Sequence, residues 1–136
     1  MTNEFPYRPG DGFSFERYIS AEDVQQFADV VGDHNPIHLD AEFAEKSFFK
    51  NRIVHGAFVA GLISKVLGMD FPGQGTVYIS QTSLFKRPVL VDTSVKVEVK
   101  VTEVITGKRR LVLETNVLNE SGEICLTGSA TVWIPE

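Results

Sequence analysis

From Thr93 to Val101 the chain reads TSVKVEVKV, and apolar and charged side chains alternate without a break. Val95, Val97, Val99 and Val101 fall on one face, with Lys96, Glu98 and Lys100 on the other. A period of two belongs to a strand with one face buried and the other wet. TVYISQTSLF (76–85), RRLVLETNVL (109–118) and EICLTGSATVWI (123–134) also read as strands, and TGK and NESG punctuate the last three. FSFERYI (13–19) alternates more loosely and predicts a first strand, after a Pro- and Gly-rich extended segment over residues 1–12. Consecutive strands on short turns predict a largely antiparallel sheet.

The period changes between the first strand and the rest. Val24, Phe27, Ala28 and Val31 recur at helical spacing behind Ser20, an N-cap with Asp23 as the acidic half of a capping box. Gly32 is placed to end that helix. Asp40 caps a second, short helix over residues 41–48, which carries Phe43 and Phe48 for burial. His55-Gly56 opens a third helix, residues 56–68, whose only polar side chains are Ser64 and Lys65. A helix apolar almost all round must be enclosed on most sides. The economical solution is an α+β single domain over residues 1–136: a curved antiparallel sheet wrapped around a central apolar helix, the hot-dog fold.

Composition changes this picture little. With 136 residues, 43% apolar and 23% charged, the chain has room for one real core. A net charge of −5 argues against nucleic acid as a partner. No apolar run reaches the ~20 residues that span a bilayer, and no signal or transit pattern opens the chain, so no membrane partner is expected. Cys125 is the single cysteine, which excludes an intrachain disulfide and suits a reducing, cytoplasmic setting.

The candidate chemistry is concentrated in VGDHNPIHLD (31–40), which holds two of the three histidines. Pro36 turns Asn35 away from helical geometry, and the Asn35 side chain can tie the turn through local hydrogen bonds. His34 and His38 are four apart, and Asp33 and Asp40 could join them around a metal. Pro36 interrupts the helix that such a site needs, and no cysteine or third histidine stands nearby in the sequence, so no metal is expected. His34 reads as a solvent-side turn residue, His55 as a helix-start residue, and Cys125 as strand packing. Lys86 and Arg87 read as solvated side chains at a strand end.

FADVVGDHNPIHLDAEFA, IVHGAFVAGLIS and FKRPVLVDTSVKVEVKVTEV, in this order, resemble the MaoC-like (R)-specific enoyl-CoA hydratase family. The resemblance implies a homodimer of hot-dog subunits acting on an acyl-CoA thioester. It further implies Asp33 and His38 as the catalytic pair, Gly56 as the amide facing the thioester oxygen, and Ser64 as a site-lining residue. Cofactors are not implied.

The chemistry is suited to these residue types. Adding water to a 2-enoyl thioester requires deprotonating a water near C3, delivering a proton to C2, and stabilising charge on the thioester oxygen. A carboxylate and an imidazole meet the first two needs. The first amides of a helix lack internal partners and meet the third. A hot-dog thioesterase would keep the fold and the amide but cleave the thioester. A non-catalytic acyl-CoA binding module would need no acid–base pair.

Overall fold

The Ser20 hydroxyl accepts the Asp23 amide at 3.0 Å, and the Asp23 carboxylate accepts the Ser20 amide at 3.0 Å. This capping box starts α1 (Ala21–Val31), and Gly32, in the left-handed region at φ 83°, ends it. The computed structural model describes residues 4–136, so residues 1–3 of the expected extended segment lie outside it. β1 (Gly12–Ile19) precedes α1; α2 (Pro36–Leu39), α3 (Ala41–Glu45) and α4 (Gly56–Lys65) follow. β2 (Val77–Phe85), β3 (Thr93–Ile105), β4 (Arg110–Leu118) and β5 (Ile124–Trp133) complete the chain.

The strands form one sheet in the order β1-β3-β4-β5-β2, with every neighbouring pair antiparallel. β2 and β1 are its edges. Val95, Val97, Val99 and Val101 of β3 are all buried, as are Leu111, Leu113 and Val117 of β4. They pack against Val59, Leu62 and Ile63 of α4, so the helix lies in the concave side of the sheet. Truncating one of these leucines to alanine costs ~2–5 kcal/mol. At Gly128, a Cβ would collide with the Thr82 carbonyl across the β2–β5 pairing, which restricts that position to glycine.

Three expectations need correction. α3 ends at Glu45, not near residue 48, and Ser47 returns its hydroxyl to the Ala44 carbonyl at 2.6 Å. Phe48, expected in the core, is 91% exposed, and Phe43 is exposed too. The reason is length: five residues make little more than one turn, so the helix has ended before Phe48 and does not carry it onto a buried face. The third helix is regular only to Lys65 and then widens into a π-helical turn, Val66–Asp70. It is also not enclosed all round, since Ala57, Gly61 and Ser64 line up on an exposed face. Small side chains bury too little area to force that face against the sheet. Among the described residues, no helix is long and apolar enough to cross a membrane.

Candidate active site

The segment after α1 is built by short-range hydrogen bonds. Asp33 accepts the Asn35 amide on Oδ1 at 3.2 Å, and Asn35 accepts the Ile37 amide on its own Oδ1 at 3.2 Å. Asn35 is thus the N-cap of α2, with Pro36 at its start, where a missing amide hydrogen costs nothing. The segment expected to be a plain turn is therefore a capped helical turn. That turn directs His38 inward while Asp33 stays exposed.

Chain crossings then lock the turn in place. The Ile53 amide donates to the Ile37 carbonyl at 3.1 Å. His38 donates from Nδ1 to the Ile53 carbonyl at 2.6 Å. A carbonyl can only accept, so Nδ1 carries a hydrogen, and whenever the ring is neutral its free lone pair is on Nε2. His55 donates from Nε2 to the Asp33 carbonyl at 3.0 Å, and its ring stacks on His38 with centroids 3.7 Å apart. His38 and His55 are only 9% and 2% exposed.

The sequence offered no third histidine near His38, and here the fold overrules it. Asp33, His38 and His55 bring one ligand atom each within 4.8 Å of one another. The donor set fits a metal poorly all the same. Imidazole lone pairs lie in the ring plane, and these two planes are stacked only 27° apart. Two such lone pairs do not converge on one ion at the ~2.0–2.1 Å that a histidine–zinc bond requires. Asp40 is engaged elsewhere, accepting the Glu42 and Phe43 amides at the start of α3. His34 faces solvent and pairs with Asp29 at 2.9 Å; that hydrogen bond holds the Asp29 carboxyl below its ordinary range.

Gly56 begins α4, and no side chain caps the helix there. Its first amide hydrogens have no intrahelical partner and lie at the positive end of the helix dipole. Gly56 also lines a cavity of 340 Å³ with Phe49, Val59, Phe85, Lys86 and Arg87. A Cβ at residue 56 would stand 3.0 Å from the Phe85 ring, so the glycine is needed for packing as well as for access. Ser64 is not brought to this cavity. Two turns further along α4, it lines a separate small cavity of 60 Å³ with Thr76 and Tyr78. Cys125 is buried, and burial raises its thiol above the usual range.

Sequence reasoning missed His55 as a neighbour of His38. Lys86 and Arg87 are exposed just past the end of β2, as expected, and both also line the cavity. Arg87 is paired with Glu123 at 3.2 Å. The only sequence signal for His55 was its place immediately before Gly56, at the mouth of the buried helix.

A buried imidazole with Nε2 unbonded, a carboxylate beside it and an uncapped helix start are thus brought together on a sheet of the hot-dog type. The chain belongs to the MaoC-like domain family, whose model matches residues 4–122. It is 46% identical over 121 residues to a 3-hydroxybutyryl-CoA dehydratase of Methylorubrum extorquens, spanning 89% of this chain and 76% of that one. An (R)-specific enoyl-CoA hydratase of Aeromonas caviae is 37% identical over 126 residues, spanning 93% and 94% of the two chains. The solved structure of an (R)-hydratase from A. caviae involved in PHA biosynthesis superposes with a TM-score of 0.93 at 36% identity, covering 96% of this chain and 98% of that one.

Proposed function

We propose that this chain is a hydro-lyase that interconverts trans-2-enoyl-CoA and (R)-3-hydroxyacyl-CoA. The observation that carries the proposal is the free Nε2 of His38, held beside Asp33 by the Ile53 and Asp33 carbonyl bonds. A water between the two side chains adds its oxygen to C3. The pair removes one proton from that water and returns one to C2, so the addition balances. Negative charge developing on the thioester oxygen is met by the Gly56 amide. A preorganised donor of this kind lowers the barrier by ~3–4 kcal/mol. Asn35 fixes the turn, whereas Ser64 lines a separate cavity and is left out of this site. The largely apolar 340 Å³ cavity suits an acyl or pantetheine segment.

The assembly we propose is a homodimer. β2 is an edge strand that exposes Val77, Tyr78, Ile79, Leu84 and Phe85. An apolar edge left open invites pairing with another strand. Pairing β2 with the same strand of a second copy would join the sheets and cover the exposed face of α4.

The test is an incubation with crotonyl-CoA, following enone absorbance and free thiol together and resolving the configuration of the product. Loss of the enone without thiol, giving the (R) alcohol, is expected. Thiol release with the enone intact would replace the proposal by a thioesterase. Binding with neither reaction would leave only an acyl-CoA binding module.

A further inference from the structure

We propose that His55 is a positioning residue of this centre, tying Asp33 and His38 to one another. The inference rests on the reading of those two residues as the acid–base pair. His55 touches each of them through a different part of its ring. Its face stacks on His38 at 3.7 Å, and its Nε2 hydrogen bonds the Asp33 carbonyl at 3.0 Å. Phe27, 4.9 Å away, also packs against the ring.

A role confined to the helix does not account for this residue. His55 is the N-cap of α4, a position that favours a short side chain with an oxygen to accept the first amides. Its side chain makes no such bond, and the helix start is left open. Its Nδ1, moreover, is buried without a hydrogen-bond partner. An orphaned buried acceptor costs stability that an apolar ring of the same size would not. The polar ring therefore serves the two contacts it makes with residues 33 and 38. Without them, Asp33 stands on an exposed segment with only the Asn35 turn to hold it.

Three variants separate the contacts: His55→Gln keeps a donor, His55→Phe keeps a stacking ring, and His55→Leu keeps neither. With crotonyl-CoA, His55→Leu is expected to lower kcat by about tenfold to a hundredfold, as misplacement by ~1 Å does. KM and the thermal midpoint should stay close to wild type, and Gln and Phe should each restore part of kcat. Leucine reaching kcat within twofold of wild type would overturn the proposal, as would a loss that the other two do not relieve. If the leucine variant does not fold, the Gln and Phe variants decide by the same comparison with wild type. Long-range ¹H–¹⁵N spectra of the wild type add a readout independent of turnover. His55 protonated on Nε2 is expected, and protonation on Nδ1 alone would remove the tie to Asp33. An inactive wild type with the Nε2 tautomer would defeat the hydratase reading while leaving the tie in place.

Discussion

His38 donates its Nδ1 hydrogen to the carbonyl of Ile53 at 2.6 Å, across fifteen residues of sequence. This one bond selects the tautomer, orients the ring and leaves Nε2 bare on the side of Asp33. The turn carrying the motif and the connection leading into α4 are thereby a single unit. Asp33→Asn and His38→Gln should each lower hydration of crotonyl-CoA by ~10²–10⁴-fold, the usual contribution of a positioned acid or base. Circular dichroism should be unchanged, and full turnover by either variant would remove that residue from the chemistry.

Gly56→Ala places a methyl group 3.0 Å from the Phe85 ring, at the mouth of the cavity. Overpacking of this kind costs ~1–3 kcal/mol, set against the better helix propensity of alanine. The variant should lose kcat/KM more than it loses stability. Phe85→Leu in the same chain should relieve the contact and restore part of the loss. Steady-state rates for the two single variants and the double variant give the coupling directly.

The capping box makes stability depend on pH in a stated direction. The backbone hydrogen bond from Ser20, helped by Arg17, holds the Asp23 carboxyl below its ordinary range. A carboxyl whose pKa is depressed on folding stabilises the native state above its unfolded value of ~3.9, and that stabilisation is lost as pH falls through the folded value. Asp23→Ala should therefore lower stability at neutral pH. The gap from wild type should narrow below about pH 4. Urea unfolding at a series of pH values measures it.

Lysines at Ile79 and Leu84 would place charge on the open edge strand β2. Light scattering after size exclusion should find the wild type as a dimer and the double variant as a monomer. Loss of turnover in that monomer would show that the site needs the second copy. An unaltered dimer would move the interface away from β2.

Prolonged dialysis against a chelator should leave the hydration rate unchanged, because the stacked planes of His38 and His55 do not aim two lone pairs at one ion. Metal analysis before and after dialysis, alongside the rate, checks this. A rate that falls and returns on adding a divalent ion would assign Asp33, His38 and His55 to a metal instead.

Much of this molecule could be read from local patterns. The alternation in β3, the capping box of α1 and the Asn35-Pro36 start of α2 are short-range physics, in which period and hydrogen-bond chemistry act within a few residues. They specified the antiparallel sheet, the apolar helix and the segment that carries Asp33 and His38. Tertiary structure alone decided which distant groups meet. It placed His55 face to face with His38 and Lys86 beside Gly56, and it left Phe48 in solvent. The connection between α3 and α4 is held by backbone hydrogen bonds to Ile37 and to the segment between β2 and β3, and such bonds between residues far apart in sequence leave no periodic trace along the chain.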